Sequence, residues 1–453
     1  MQTELNCDVA IIGGGPAGVA AALCAARTGA DTVLVERYGF LGGMSTAALV
    51  YPWMTFHTAV GEQVIRGVAQ EIVDRLAAVG ASPGHLRDTV GFTFTLTPFD
   101  PEVYKLLAFD MLREAGVRLI MHTSLAEAEA GGGRIRRVRL LSRGRMYRLA
   151  ASVFVDATGD AELSDMAGAK CEYGNEEGKV QPMTMKFRMR GVNGEAIKDY
   201  MKRHPEDFYE RTPFAELDKL PLTGVSGFYR KWKEAGAELG IPRDGVLFFM
   251  GPREDEALIN TSRVSGLDPT DPDDLTTAEM EGRRQIFKLA EFFRRHIPGF
   301  ERAEIAQTGV QIGVRETRRV VGDYVLNGRD VLDARRFDDV IARSGYPIDI
   351  HNPTGTGLTA RFIREGGAYD IPYRSLVAQS LENLLLAGRC ISTTHEAQAT
   401  TRLTPSCMAT GQAAGTAAAL AAAHAKGAVR QVPIRMLQAR LLKDGAELGL
   451  MRG

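Results

Sequence analysis

The segment THEAQATTR near the C-terminus carries side chains suited to proton transfer and anion binding. His395 can take or give a proton near pH 7, because an unperturbed imidazole titrates there. Arg402, seven residues later, can bind a substrate carboxylate through two parallel N–H donors. Each residue also has a structural interpretation, a loop hydrogen bond for His395 and a salt bridge for Arg402. The sequence leaves both interpretations open.

Two further candidates lie in the central third of the chain. Arg315 begins the charged run 315–319, RETRR. In a strand, alternate residues face opposite sides, so Arg315, Thr317 and Arg319 would share one face that can project arginine into a site. The commoner interpretation of such a run is a solvated or internally paired face. His351 lies in the polar loop IDIHNPTGTG, which is suited to a substrate opening.

A glycine-rich turn near the N-terminus has the spacing that binds a dinucleotide. Gly13, Gly15 and Gly18 form a GxGxxG pattern after the apolar run 7–12. Gly13 permits a tight turn, Gly15 lets a pyrophosphate approach the backbone, and Gly18 lets the following helix pack closely on the sheet. Glu36 stands 18 residues after the last of these glycines, where a carboxylate binds ribose hydroxyls. This complete unit predicts dinucleotide binding but does not separate FAD from NAD.

Apolar and β-branched runs predict the elements that position these residues. Strands are expected over residues 7–12, 32–35 and 117–121, and a helix begins after Asp100-Pro101. A three-stranded meander follows, with a hairpin turn at Gly131-Gly132-Gly133, and leads into an apolar strand that ends in Asp156-Ala157-Thr158-Gly159. Near the C-terminus, a buried strand reaches Gly388, and a helix of small residues runs from Pro405 to about His424. Polar residues 267–274 are expected to form a loop before a helix over 277–296.

This order of elements resembles the FAD-dependent oxidoreductases of the glutathione-reductase superfamily, in the group related to heterodisulfide reductase flavin subunits. Residues 313–324, 371–376 and 388–415 carry the resemblance. It implies an α/β fold with a Rossmann-like FAD-binding domain, in which a parallel sheet carries a β-meander, from residues 1–168 and 366–453. An α+β substrate or cap domain then takes residues 169–365. The implied cofactor is FAD, held non-covalently because no covalent anchor has a recognisable context.

The resemblance also implies which residues contact the cofactor. The loop after Glu36 passes the pyrophosphate and flavin, Leu125 lies by the adenine, and the helix after Gly388 points its N-terminus at the flavin. Arg389 stands where the family usually has an aspartate. Cys407 lies beside that helix terminus, which lowers a thiol pKa, although we interpret it as a core residue. The predicted set is Gly13, Gly15, Pro16, Ala17, Gly18, Glu36, Arg37, Gly42, Gly43, Met44, Ser45, Thr46, Leu125, Ala157, Thr158, Gly159, Gly388, Arg389, Met408, Gly411 and Ala413.

Composition narrows the remaining classes. The chain has 453 residues, 45% hydrophobic and 25% charged, and a net charge of −1; this indicates a globular protein of two domains without a global attraction to nucleic acid or anionic membranes. No apolar run is long enough to span a membrane and no basic leader is visible, so a cytoplasmic protein is expected. The five cysteines form no CxxC pair, and no metal site is expected. A homo-oligomer is left open.

Three functions are compatible with these patterns. The first is a flavin dehydrogenase or oxidase that takes a hydride from a small polar organic substrate at flavin N5. The second is a reductase or monooxygenase supplied by NAD(P)H, and the third is a non-catalytic electron-transfer subunit of a larger complex. A disulfide reductase is disfavoured, because the chain lacks both a second GxGxxG unit in mid-chain and a CxxxxC motif after the first helix.

Overall fold

The structure, a computed structural model, describes residues 3–450. Numbered along the chain, the strands are β1 (Thr3–Ile12), β2 (Thr32–Val35), β3 (Trp53–Met54), β4 (Leu86–Arg87), β5 (Thr95–Thr97), β6 (Arg118–Ile120), β7 (Ser124–Gly131), β8 (Arg134–Ser142), β9 (Arg145–Asp156), β10 (Cys171–Tyr173), β11 (Phe187–Arg190), β12 (Gly224–Gly227), β13 (Val246–Met250), β14 (Glu256–Ile259), β15 (Glu304–Thr308), β16 (Arg318–Val320), β17 (Val340–Ser344), β18 (Ile348–His351), β19 (Leu358–Arg361), β20 (Tyr369–Pro372) and β21 (Leu384–Leu386). The α-helices are α1 (Pro16–Arg27), α2 (Met44–Ala47), α3 (Val68–Ala78), α4 (Pro101–Glu114), α5 (Glu162–Met166), α6 (Gly194–Arg203), α7 (Tyr229–Lys231), α8 (Pro272–His296), α9 (Gly328–Leu332), α10 (His395–Thr401), α11 (Thr404–His424) and α12 (Ile434–Lys443).

The largest sheet joins the two ends of the chain. Its strands lie in the order β6-β2-β1-β9-β8-β7, and β21 pairs with β9. Strands β6, β2, β1, β9 and β21 are parallel, whereas β7, β8 and β9 form an antiparallel meander. Strand β9 serves both parts, since residues 145–149 pair with β8 and residues 154–156 pair with β21. The predicted Rossmann-like sheet with its meander is therefore confirmed.

Helices α1 and α11 pack closely against each other because both are built from small residues. A Cβ at Gly411 would lie 2.2 Å from the Ala17 carbonyl oxygen, and one at Gly415 would lie 2.0 Å from that of Ala21. The contacts advance together along both helices, so the helices run parallel and their N-termini face the same way. Two positive helix ends are thereby directed to one side of the sheet.

A second hydrophobic core is formed by residues between Met183 and Ile312. It lies on an antiparallel sheet in the order β12-β13-β14-β11-β15 and on the apolar face of α8. This helix begins at Pro272 rather than at the predicted residue 277, because the Asp271 side chain accepts hydrogen bonds from the amides of Asp273 and Asp274 and so caps it. The largest sheet and its helices form the predicted α/β part, and this second unit forms the additional α+β part.

The remaining short sheets connect these two cores. Strands β3, β5 and β4 form one sheet, and β10 pairs with β16, β17 with β20, and β18 with β19. The first hydrophobic core surrounds the largest sheet. Buried residues between Val320 and Ile350 pack in it, although the predicted cap domain includes them. Among residues 3–450, no helix is both long and apolar enough to cross a lipid bilayer.

Candidate active site

A cavity of about 910 Å³ is lined by the first turns of α1 and α11 and by residues of the second core's sheet. Its size lies near the upper end of the range of ligand sites, about 300–1,000 Å³. The lining has two parts. The dinucleotide region comprises residues 12–13, 15–17, 36–37, 43–44, 123–125, 157–159 and 387–389. The cationic region comprises Lys186, Arg243, Arg263, Arg315, Asp349, His351 and Arg402.

The glycines of the dinucleotide region differ in the space around them. Gly13 has a φ of 104°, and Cβ atoms at Gly13 and Gly18 would lie 2.5 Å from the Ala157 oxygen and 1.8 Å from the Gly13 oxygen. These two positions serve the turn and the packing of α1. A Cβ at Gly15 would instead meet only the Gly43 Cα, at 3.8 Å, and would project into the cavity. The space beside Gly15 therefore fits a group that passes close to the backbone, as a pyrophosphate does.

Glu36 is fixed by backbone amides. Its two carboxylate oxygens accept hydrogen bonds from the amides of Gly14, at 2.6 Å, and Tyr38, at 2.8 Å. Burial raises the pKa of this carboxyl group, and the hydrogen bonds from Tyr38 and Gly14 oppose that shift. Each oxygen keeps a further lone pair for a ribose hydroxyl.

The turn after β9 is held by one buried carboxylate. Asp156 accepts hydrogen bonds from the amide and hydroxyl of Thr158 and from the amide and hydroxyl of Ser164. Arg389 donates to Asp160 at 2.6 Å, while its Nη1 is buried without a hydrogen-bond partner in the described part of the chain. This orphaned donor on the cavity wall suits an anionic group of a dinucleotide.

Most of the predicted cofactor residues line the cavity, but some do not. Those that line it are Gly13, Gly15, Pro16, Ala17, Glu36, Arg37, Gly43, Met44, Leu125, Ala157, Thr158, Gly159, Gly388 and Arg389. Those placed elsewhere are Gly18, Gly42, Ser45, Thr46, Met408, Gly411 and Ala413.

The hydroxyls and helix residues outside the lining have contacts within the protein. Ser45 accepts a hydrogen bond from the Trp53 indole at 3.1 Å, and Thr46 donates to the Leu41 carbonyl at 2.7 Å, so both hydroxyls have partners within the protein. Gly411 faces α1. The first turn of α11 reaches the cavity one turn earlier than predicted, through Leu403, Thr404 and Cys407.

Cys407 does not have the lowered pKa expected beside a helix N-terminus. Burial raises the pKa of its thiol to about 12, because desolvation of a thiolate outweighs the helix dipole here. The interpretation of Cys407 as a small buried residue agrees with this environment.

Arg315 and Arg402 both reach the cationic region. Arg315 donates through Nη1 to the Pro182 carbonyl and the Thr184 hydroxyl, each at 2.6 Å. Arg402, at the end of α10, donates to the Asp349 carbonyl at 3.3 Å, and its Nε is buried without a partner among residues 3–450. Residues 309–317 form no strand, so the alternation predicted for the RETRR run does not occur.

Three cations of this region were not predicted from sequence. Lys186 is 7% exposed and lines the cavity; burial and the neighbouring Arg315, Arg402 and Arg243 lower its pKa to about 7. Arg243 donates to the carbonyls of Thr261 and Asn260, and Arg263 to those of Asn352, Thr356 and Gly357. One sequence feature could have indicated Lys186: a lysine inside the largely apolar run PMTMKF is unusual for a buried strand.

His351 is a buried imidazole beside a carboxylate. Its Nε2 lies 3.7 Å from Asp349 Oδ1, and the other Asp349 oxygen accepts a hydrogen bond from the Tyr346 hydroxyl at 2.9 Å. Burial, and then the charges of Arg315 and Arg243, hold the pKa of His351 well below its ordinary value. The imidazole is therefore neutral at pH 7 and able to accept a proton.

His395 is placed away from the cavity lining. It begins α10, and its Nδ1 lies 2.8 Å from the buried carboxylate of Glu316. Arg319 also donates to Glu316, at 2.6 Å, although strand alternation would have put these two residues on opposite faces. The structure thus gives His395 a partner within the scaffold and does not bring it to Arg315, His351 and Arg402.

The fold and the dinucleotide region define a dinucleotide-binding protein. The family model for FAD dependent oxidoreductases matches residues 8–441, and the chain belongs to that family. It is therefore an enzyme, and FAD is its cofactor.

Relatives match only parts of this chain at the sequence level. Digeranylgeranylglycerophospholipid reductase from Methanothrix thermoacetophila is 29% identical over 178 aligned positions, which cover 36% of this chain and 42% of that protein. Dihydrolipoyl dehydrogenase from Vibrio cholerae is 48% identical over 44 residues, 10% of this chain and 9% of that protein. The chain therefore spans less than half of the length of these curated relatives.

Solved structures are similar over most of the chain. A geranylgeranyl bacteriochlorophyll reductase-like protein from Thermoplasma acidophilum is 13% identical, with a TM-score of 0.45 over 98% of this chain and 85% of that one. The p-nitrophenol 4-monooxygenase from Pseudomonas putida is 11% identical, with a TM-score of 0.46 over 97% of this chain and 83% of that one.

Proposed function

We propose that the enzyme is an FAD-dependent dehydrogenase or oxidase that acts on a small polar organic substrate. The observation that carries the proposal is the continuity of the cavity, since the dinucleotide region and the cationic region line the same space. FAD held non-covalently by the residues of the dinucleotide region would supply a two-electron acceptor for the substrate's hydride. The substrate's second proton must then go to a base on the protein.

The chain's own residues supply binding and proton transfer in this scheme. Arg315 and Arg402 orient the substrate through charge-assisted hydrogen bonds, and the neutral His351 imidazole takes the proton from the substrate's hydroxyl or amine. Asp349 Oδ1 lies 3.7 Å from Nε2 of that ring and stabilises the imidazolium that forms. Residues 169–365 serve as the substrate domain of this proposal, and residues 1–168 and 366–453 as its FAD domain; the substrate domain contains the second core, and its stretch 320–350 packs against the FAD domain. The sequence resemblance to the heterodisulfide-reductase-related group supports this division.

Anaerobic bleaching of the flavin tests the reaction. Bleaching by an organic substrate alone is the expected result. Bleaching by NADH or NADPH alone would replace the proposal with a reductase or monooxygenase. If no donor bleaches a flavin that dithionite does reduce, the proposal is wrong.

The placement of FAD is tested by Gly15→Val. The valine side chain fills the space beside the backbone, so the protein should fold but purify without flavin. Gly194→Ala is the matched control, because its Cβ would meet only the Met250 Cε, at 3.6 Å, on the second core. A yellow Gly15→Val protein with full flavin occupancy would contradict the placement.

A further inference from the structure

We propose that the cationic region binds a small organic anion with two or three negative charges, and that this anion is the substrate. The inference rests on the proposed function in that it names the substrate class of the same site. It stands on the balance of charge and on the partners of the cations.

The cations of this region outnumber its carboxylates. Lys186, Arg243, Arg263, Arg315 and Arg402 line the cavity together with Asp349 of the same region and with Asp244, the residue after Arg243 in the chain. Five cationic groups and two carboxylates leave an excess of three positive charges, or of two when Lys186 is neutral. An excess of this kind in a concave, partly desolvated site attracts anions much more strongly than the same charges do in water.

The hydrogen bonds of these cations go to neutral groups. Arg243 and Arg263 donate to backbone carbonyls, and Arg315 donates to a carbonyl and a hydroxyl. None of the five forms an ion pair with a carboxylate in the described part of the chain, which contains many such pairs elsewhere. Buried cations without a counter-ion are costly and therefore indicate a site for a charged ligand.

Donors also remain available to a ligand. Arg315 uses only Nη1 within residues 3–450, and the Nε atoms of Arg263 and Arg402 are buried without partners. Lys186 makes no side-chain hydrogen bond in that part of the chain, although it is only 7% exposed and its ammonium has little access to water. Planar guanidinium groups match carboxylate and phosphate oxygens in pairs, so the free donors can hold two carboxylates or one doubly charged phosphate.

The test is a titration of the anaerobic holoenzyme at constant ionic strength, with perturbation of the flavin spectrum as the readout. The probes are malate as the dicarboxylate, glycerol 3-phosphate as the phosphate ester, lactate as the monocarboxylate and glycerol as the neutral compound. We expect malate or glycerol 3-phosphate to bind at least about 10-fold more tightly than lactate, and glycerol not to bind. The stronger of the two dianions identifies carboxylate or phosphate as the recognised group.

Variants connect this binding to the named residues. Arg315→Gln, Arg402→Gln and Lys186→Met should each weaken dianion binding by about 10- to 100-fold without loss of flavin. Arg361→Gln is the control, because Arg361 is half-exposed and already paired with Glu396 at 3.0 Å; its affinity should stay within about twofold of the wild type. Loss of flavin from the three variants would show that the cations serve the cofactor and would overturn the inference.

The inference and the proposed function can fail separately. A dianion that binds tightly without bleaching the flavin supports the anion site and counts against oxidation of that compound. A neutral substrate that bleaches the flavin without competition from any dianion supports the proposed reaction and overturns the anion site. Equal binding of lactate and malate overturns it as well.

Discussion

Two clusters of buried charge lie next to each other in the chain but are built in opposite ways. Glu316 accepts from Arg319 at 2.6 Å and lies 2.8 Å from His395, so its charges are balanced. Arg315, one residue earlier, belongs to the cationic region, whose lysine and arginines have no carboxylate partner among the described residues. One short segment therefore contributes to a paired cluster on one side and to an unpaired cluster on the other.

The difference separates stability from function. A paired buried charge becomes costly when its partner is removed, because the remaining charge stays desolvated. An unpaired buried charge is costly already, so its removal should stabilise the protein while it removes binding of the ligand. The sign of a stability change therefore distinguishes the two clusters.

The largest effect is expected for Glu316→Ala. The substitution leaves the Arg319 guanidinium buried without its counter-ion and should lower the free energy of unfolding by about 3–5 kcal/mol. Urea denaturation at pH 7 measures this change in the free energy of unfolding. Glu177→Ala is the control, since Glu177 pairs with Lys179 on the surface and its loss should leave the midpoint unchanged. An equally small change for Glu316→Ala would remove the distinction between the clusters.

The parts of the site that the sequence predicts are those encoded by contiguous residues. The glycine turn, Glu36 and the turn after β9 each depend on local geometry, since a strand, a tight turn and a helix terminus follow one another within a few residues. Their positions around the cavity could therefore be predicted without the rest of the fold. The α/β class followed from the same runs.

Arg315, His351 and Arg402 were among the predicted candidates, but the other three cations of the cationic region could not be predicted in this way. Lys186, Arg243 and Arg263 come from separate segments of the second core, and each resembles an ordinary strand or turn residue until the sheet brings them together. The distinction between His395 and Arg402 depends on where α10 begins and ends. His395 starts the helix beside Glu316, whereas Arg402 follows its last turn and reaches the cavity.

Lys186→Met should have the opposite sign from Glu316→Ala. It replaces an unpaired buried ammonium with an apolar side chain of similar length and should raise the free energy of unfolding by about 1–4 kcal/mol. Urea denaturation at pH 6, without organic anions, measures the gain. Lys179→Met, on the surface, is the control for the loss of a lysine charge. A destabilised Lys186→Met protein would indicate that Lys186 has a structural partner.

The gain from Lys186→Met should also depend on pH. The pKa of Lys186 is lowered from 10.5 to about 7 by burial and by Arg315, Arg402 and Arg243; Asp349, His351 and Arg263 also lie in the region. Below pH 7 the ammonium is charged in the folded state, and its desolvation cost is complete. As the pH rises from 7 towards 10.5 the folded state releases this proton before the unfolded state does, so the cost decreases. The stabilisation should therefore be larger at pH 6 than at pH 9.

The smallest effect is expected for His395→Ala, which removes one hydrogen-bond partner of Glu316 and leaves the Glu316–Arg319 ion pair in place. Glu316 keeps Arg319 and the backbone N–H of Gln181 as donors, so the loss of the imidazole should lower the free energy of unfolding by only about 1–2 kcal/mol. Anaerobic stopped-flow reduction of the flavin should proceed within about twofold of the wild-type rate, whereas His351→Ala should slow it by about 10²-fold, the size of an acid–base contribution. A 10²-fold slowing by His395→Ala would instead assign proton transfer to the His395–Glu316 pair. The paired cluster would then take part in the reaction, and pairing alone would no longer separate the scaffold from the site.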